Sequence, residues 1–316
     1  MYDLVIIGAS AAALPSAIYA ARRHLNFVII TKDIGGEMAL SGEVNNWPVI
    51  EAISGIELTK KFHEHVKSYG VKIEEGVEVI SIKSEKNYHF INAKDHNGKK
   101  KSYKTKTILV TSGIHPRKME VKGEVEFKGK GVTYCTVCDG PLFKGKITAT
   151  IGAGNAALES ALMMSKIAKK VYLLTRYPDT KETLGGFPKG ETILVKKLKE
   201  TKNIEVIYNT NTKEIVGSNF VEGVIYEDKT TKEKKEIKVN GIMAHIGTTP
   251  NSDFIDCANK NKRKEIEVNL RCETNCPGIF AAGDVTNVPF KQIIIAAGQG
   301  VTAVLSAINY INRWTE

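Results

Sequence analysis

Ile147-Thr148-Ala149-Thr150-Ile151-Gly152-Ala153-Gly154-Asn155-Ala156-Ala157 is a short run of strand-forming residues that stops at a glycine and opens a helix. Gly152, Gly154 and Ala157 fit the pattern G-x-G-x-x-A of a dinucleotide-binding unit. Such glycines let backbone approach a pyrophosphate, which then rests on the N–H groups of the helix start. Asn155 to Ala168 follows as the helix and Val171-Tyr172-Leu173-Leu174 as a parallel strand. The same order opens the chain, with Leu4 to Ile7, an Ala-rich stretch from Ala11 to Arg23, and Phe27 to Ile30. Here the turn reads Gly8-Ala9-Ser10-Ala11-Ala12-Ala13 and keeps only the leading glycine, so its position carries the assignment. The expected fold is α/β, with two Rossmann-like dinucleotide-binding domains of three-layer ββα type, the second inserted in the first.

Just ahead of the second unit stand Cys135-Thr136-Val137-Cys138-Asp139-Gly140. A Cys-x-x-Cys pair serves as a redox couple or as half of a metal clip. Zinc sites usually show two such pairs, whereas the remaining cysteines, Cys257, Cys272 and Cys276, lack that spacing. No metal site is expected, and an inert buried pair is the blander alternative. Asp139-Gly140-Pro141 reads as a sharp turn that Asp139 helps to shape. Beside two thiols, Asp139 is also the candidate general acid.

Each dinucleotide unit is followed by paired strands with polar tips, Val77 to Lys83 with Tyr88 to Ala93, then Glu205 to Tyr208, Lys213 to Val216 and Val221 to Glu227. Near the end, Gly278 to Asp284 reads as a buried strand running into a Gly-Asp turn, and Ile293 to Asn312 as a closing helix. The excess of 45 basic over 35 acidic residues gives a formal charge of +10. That charge is dispersed, and runs such as Lys99-Lys100-Lys101 and Lys232-Glu233-Lys234-Lys235 read as solvated hairpin tips without aromatics. Nucleic acid is therefore not an expected partner, and an acidic protein is the partner the charge would favour. No stretch reaches the ~20 uninterrupted apolar residues of a membrane span, no basic leader precedes the first strand, and the 5 cysteines form no secreted framework, so cytoplasmic residence is expected.

Taken together these residues resemble the low-molecular-weight thioredoxin reductase family and the closely related flavoprotein component of alkyl hydroperoxide reductase. The resemblance rests on Gly35-Gly36-Glu37 with Val44-Asn45-Asn46-Trp47-Pro48, on Thr111-Ser112-Gly113, and on Cys135 to Gly140 with Pro141 to Lys146. It extends to Ile246-Gly247-Thr248-Thr249-Pro250-Asn251 and to Gly278 to Asp284 with Lys291-Gln292. It implies a discontinuous FAD domain, residues 1–113 and 242–316, interrupted by an NAD(P)H-type domain, 114–241, that carries the redox pair. It implies FAD contacts from Gly8, Ser10, Ala11, Gly35, Gly36, Glu37, Ser41, Asn46, Val79, Gly113, Gly283, Asp284, Lys291, Gln292 and Ile293. Nucleotide contacts would come from Gly152, Gly154, Asn155, Ala156, Glu159, Arg176 and Lys181. In such proteins electrons pass from nicotinamide to FAD, to the disulfide and to a partner. On that pattern Cys138 faces the flavin, Cys135 attacks the partner's disulfide and Asp139 protonates the departing thiolate, in a homodimer whose domains rotate.

Departures from the family pattern bear on the electron donor. Glu37 stands where glutamine is usual, and an acid there would disfavour an anionic reduced flavin unless protonated. The family's NADPH-binding stretch, His-Arg-Arg-x-x-x-Arg, is here Thr175-Arg176-Tyr177-Pro178-Asp179-Thr180-Lys181, with one arginine kept. Thr248 replaces a common histidine. This half-match leaves NADPH, NADH or a small acidic ferredoxin as donor. Because no further cysteine pair or redoxin-like domain is read in the chain, the acceptor is expected to be a separate thioredoxin- or glutaredoxin-like protein, with a peroxidase-coupled redoxin second. A flavoprotein oxidase or diaphorase and a zinc-stapled regulatory module are the competing classes.

Overall fold

The computed structural model describes residues 1–41 and 43–315. The chain forms two compact units, Met1–His115 with Thr249–Glu316, and Pro116–Thr248. The expected return at residue 242 therefore moves to 249. The reason is Gly241–His245, a strand that hydrogen-bonds between Val132–Thr133 and Ile147–Gly152 in the second unit's sheet.

In the first unit, Tyr2–Ile7 lies between Phe27–Ile30 and Lys100–Val110, parallel to both. Its apolar run is buried on both faces, as a parallel sheet covered on each side requires. Leu4 and Ile6 join the cluster under the helices, while Val5 and Ile7 join the opposite one with Val77, Ile91 and Ala93. Lys100–Val110 belongs to both layers, its first half pairing with Tyr88–Asp95 and its second with Tyr2–Ile7. Lys100 and Lys101 are thus strand residues, not a hairpin tip, and the Lys101 ammonium sits 2.8 Å from Glu74. Lys234 and Lys235 likewise begin a strand, Lys234–Lys238.

Helix Ala13–Arg22 crosses close to helix Ile293–Ile311, and Gly300 makes the approach possible: a Cβ there would lie 1.9 Å from the Ala12 carbonyl oxygen. By length and composition Ile293–Ile311 is long enough and apolar enough to cross a membrane, which the residue pattern alone did not suggest. Its small-residue face of Ala296, Ala297, Gly300, Ala303, Val304 and Ala307 is buried, so the helix is part of this unit's core.

The second unit is ββα. Five parallel strands run in the order Val132–Thr133, Gly241–His245, Ile147–Gly152, Lys170–Leu174, Ile204–Ile207. Along Lys170–Leu174 the side chains alternate, Val171 and Leu173 packing under helices Asn155–Ser165 and Thr192–Glu200, Tyr172 and Leu174 facing the antiparallel layer. That layer is Thr210–Gly217, Val221–Asp228 and Lys234–Lys238.

Cys257 and Cys276 form a disulfide in the first unit, with Cα atoms 6.2 Å apart and a sequence separation of 19. Cys272 stays a free, buried thiol whose pKa burial pushes up to about 11, which makes it unreactive. Closing a loop of this length stabilises the fold by ~3 kcal/mol in the chain-entropy picture. A Cys257→Ser protein should therefore melt roughly 5 °C lower in scanning calorimetry. An unchanged Tm, with both thiols alkylatable in the oxidised wild type, would show that no staple exists.

Candidate redox-active site

Cys135 and Cys138 are joined by a disulfide across one short turn, their Cα atoms 5.4 Å apart. Cys135 caps the helix Thr136–Asp139, its sulfur accepting from the Cys138 N–H at 3.2 Å. Cys138 is exposed and Cys135 half-buried. The expected sharp turn at Asp139-Gly140-Pro141 is instead a continuation of helical backbone into the 3₁₀ helix Gly140–Phe143. Proline sits in the first turn of that helix, where its missing N–H costs nothing. The Asp139 carboxyl therefore makes no cap. It accepts a hydrogen bond from the Thr133 hydroxyl at 2.5 Å, and the Thr133 oxygen in turn accepts from the Cys135 N–H at 3.0 Å. Thr133 ties the acid to the pair, and no motif in the sequence singled it out.

The upstream side of the turn has its own anchor. Buried Glu124 accepts from the Met119 and Glu120 N–H groups, at 2.7 and 2.6 Å, and from the Tyr134 hydroxyl. Burial and that carboxylate push the Tyr134 phenol pKa up.

In the first unit Gly8, Gly113 and Gly283, of the proposed FAD residues, follow the carboxyl ends of Tyr2–Ile7, Lys100–Val110 and Ile279–Ala281, the end at which open α/β sheets bind ligands. Gly8 has φ +109°, and a Cβ there would meet the Thr111 carbonyl oxygen at 2.4 Å. Ser10 donates to the Gly35 carbonyl, whose own N–H donates to Ala9 at 2.7 Å, so the first turn and Gly35-Gly36 are one assembly. Ala11 is buried. Ser41 donates to the Glu37 carbonyl at 3.0 Å, and the Asn46 amide to Gln292 at 3.1 Å, beside the helix that begins at Ile293. Val79 lies on the strand Val77–Glu85, whose first N–H donates to Thr31 at 2.8 Å just past Phe27–Ile30. Gly113, with φ +64° and open space around it, accepts from the Asn251 N–H at 2.9 Å. Gly283 donates to the Gln299 side chain at 2.9 Å.

Two carboxyls flank this cradle. Burial raises the Asp284 pKa against the pull of Lys291, whose ammonium is itself held by Thr286 and Glu265 at 2.6 and 3.0 Å. Burial also raises Glu37, followed by repulsion from Asp284 and Asp33, with His115 opposing. Gly8, Gly35, Gly36, Gly113 and Gly283 all bend the backbone at positive φ, the side-chain-free kind of edge that a dinucleotide's pyrophosphate can approach, so the residues present are compatible with FAD.

The second unit's turn is less free. Gly152 is obligatory, since a Cβ would lie 2.2 Å from the His245 carbonyl oxygen and 2.7 Å from the Ala157 methyl. Asn155, at the helix start beside Ala156, exchanges two 2.8 Å hydrogen bonds with Glu191. Burial and then Glu191 raise the pKa of Glu159. Gly154 accepts from the N–H groups of Ala157 and Leu158, at 3.0 and 3.1 Å. Arg176 is exposed and lies over the Tyr177 ring at 5.6 Å, while Asp179 pairs with Lys199 at 3.6 Å. Lys181 is exposed.

A family model described as pyridine nucleotide-disulphide oxidoreductase matches residues 2–300. The chain belongs to that family. Among curated relatives it is 36% identical to an NADH dehydrogenase of Ferdinandcohnia aciditolerans over 99% of its length, and 36% identical to an alkyl hydroperoxide reductase protein of Pseudomonas aeruginosa, also over 99%. It spans 58% of the length of each. Among solved structures it is similar to thioredoxin reductases. That of Lactococcus lactis has a TM-score of 0.89 at 30% identity, covering 99% of this chain and 100% of that one. That of T. acidophilum scores 0.85 at 38% identity, covering 98% of each. A ferredoxin-flavin thioredoxin reductase of Clostridium acetobutylicum scores 0.53 at 29% identity, covering 99% of each chain.

Proposed function

We propose that the chain is an FAD-dependent thiol–disulfide oxidoreductase that delivers electrons through Cys135 and Cys138 to a separate thioredoxin- or glutaredoxin-like protein, acting in the cytoplasm as a homodimer. The observation that carries this reading is the Cys135–Cys138 disulfide with a carboxyl tied to it through Thr133, in a chain of this family. FAD, when bound, supplies the electron pair that opens the disulfide. The residues that would hold it are those of the cradle, where Asp284 could accept from a ribityl or ribose hydroxyl and the Asn46 and Gln292 amides would offer further hydrogen bonds. Once reduced, the Cys135 thiolate attacks one sulfur of the partner's disulfide, forming a mixed disulfide as the partner's other sulfur leaves. Asp139 gives that sulfur a proton. Cys138 then attacks the Cys135 sulfur and gives up its thiol proton, restoring the internal disulfide and releasing the partner's second sulfur as a thiol. Two electrons and two protons are passed on.

The second unit bears on the donor. With Tyr177 in place of an arginine, Arg176 exposed, and Asp179 on the same turn, the grip on a 2′-phosphate is weak. A reduced acidic ferredoxin is the donor that this unit and the basic surface favour. The similarity to the Clostridium protein supports that reading. Mixing the oxidised protein anaerobically with NADPH, NADH or reduced ferredoxin should bleach the flavin band fastest with ferredoxin. Full bleaching by NADPH within seconds would sink the donor assignment, and a purified protein that takes up no flavin would sink the function.

Glu37→Gln tests the cradle from another side. At pH values where Glu37 is ionised, its charge opposes an anionic reduced flavin, so the variant should raise the flavin potential by ~30 mV, about tenfold in a two-electron equilibrium. As pH falls through the raised pKa the carboxyl takes a proton and the difference should vanish. No gap at any pH would place Glu37 away from the flavin, and a gap independent of pH would show that its charge is not the cause.

A further inference from the structure

We propose that His245 is a positioning residue for the Cys135–Cys138 pair, acting through the hydroxyl of Thr136. The inference rests on the redox role assigned to that pair.

Thr136 directly follows Cys135 and opens the helix Thr136–Asp139, and its side chain is buried. Its Oγ1 lies 2.8 Å from His245 Nε2 and 2.6 Å from the Ser160 hydroxyl, which is buried on helix Asn155–Ser165. His245 is the last residue of Gly241–His245 and stands in register with Gly152, at the end of the adjacent strand. One side chain between the two cysteines is therefore bolted both to the central sheet and to the helix of the dinucleotide turn. Burial holds the His245 pKa down at about 4, so at neutral pH the ring is uncharged and the three groups form a chain of neutral hydrogen bonds. Neither Ser160 nor His245 belongs to a motif read from the sequence, and neither takes part in the electron transfer proposed above.

The anchor matters most when the disulfide is open. In the disulfide state the S–S bond itself holds the turn closed. In the dithiol state the turn depends on its non-covalent restraints, the Thr136 contacts among them, and holding reacting groups in place raises their effective concentration. Removing the anchor frees the dithiol more than the disulfide, so the equilibrium should move toward the dithiol.

The test uses the full-length flavin-loaded protein equilibrated in glutathione redox buffers, quenched by alkylation and read by peptide mass spectrometry, which separates this pair from Cys257, Cys272 and Cys276. His245→Phe fills the ring's space without a nitrogen, Thr136→Val removes the hydroxyl, and His245→Gln keeps a hydrogen-bonding group. His245→Phe and Thr136→Val should each shift the dithiol/disulfide equilibrium toward dithiol by roughly tenfold, equal to about 30 mV for a two-electron couple. The double variant should move little further, as expected of residues acting through one contact. His245→Gln should lie within about twofold of wild type on the same scale. If His245→Phe fails to fold, Thr136→Val alone carries the test.

A lowered Tm with an unmoved equilibrium would reduce His245 to a packing residue and overturn the proposal. So would a His245→Gln protein as far displaced as His245→Phe, since the hydrogen bond would then not be the cause. Glutathione reads the sulfurs without any partner protein. Variants that show these shifts, in a protein whose wild type reduces no thioredoxin-like partner, would sink the proposed function and leave the role of His245 standing.

Discussion

Cys138→Ser should abolish turnover of a partner disulfide, by on the order of 10³-fold or more, while the protein keeps its yellow flavin. The size of the effect follows from the covalent role. A serine hydroxyl neither forms the internal disulfide nor expels the partner from a mixed disulfide, so the residual rate is only what Cys135 achieves alone with outside thiols. The fold should tolerate the change, because Cys138 is exposed and its N–H, which donates to the Cys135 sulfur, is retained. A reductive titration separates the function from its competitors. Wild type should take up two electron pairs, one at the flavin and one at the disulfide, and the variant one. An oxidase or diaphorase would take up one pair in both proteins. A Cys135→Ser/Cys138→Ser protein that still reduces its partner at the normal rate would end the disulfide mechanism outright.

The features the sequence made legible are those set by local pattern. Leu4 to Ile7 reads as a buried strand because a parallel strand covered on both faces is continuously apolar, and Ile147 to Ile151 because its β-branched residues favour a strand and stop at a glycine. Gly8 and Gly152 read as turns because close backbone approach excludes any side chain, and the Cβ positions confirm the contact. What stayed hidden depends on distant partners. Gly241–His245 is an apolar run like the others, and only its pairing with Val132–Thr133 and Ile147–Gly152 assigns it to the second unit. Cys257 and Cys276 share no motif, and their pairing is made by the fold. Asp139-Gly140-Pro141 misled because proline favours the start of a helix as much as a turn, so the acid became part of helical backbone with its carboxyl free to reach Thr133. Threonines such as Thr133 and Thr136 carry no signal of their own, since a hydroxyl becomes an anchor only through the group that the fold brings to it.

That last point makes Asp139 and Thr133 a pair with unequal and measurable effects. Asp139→Asn keeps the shape and the Thr133 contact but loses the transferable proton, and partner reduction should fall by about 10²- to 10⁴-fold, the range that positioned general acids contribute. Flavin binding and the rate at which the donor bleaches the flavin should be unchanged, because the proton is needed only when a partner sulfur departs. Thr133→Val leaves the acid in place but removes the hydroxyl that both holds its carboxyl group at 2.5 Å and accepts from the Cys135 N–H. Loss of orientation alone should cost roughly tenfold, of the order of one net hydrogen bond. The two changes act on one proton transfer, so the double variant should be little slower than Asp139→Asn by itself. The leaving group supplies the decisive comparison. Small-molecule disulfides whose thiols have low pKa values depart without help, and with them the Asp139→Asn defect should shrink toward nothing. A defect of equal size for every leaving thiol would mean that Asp139 shapes the turn and moves no proton.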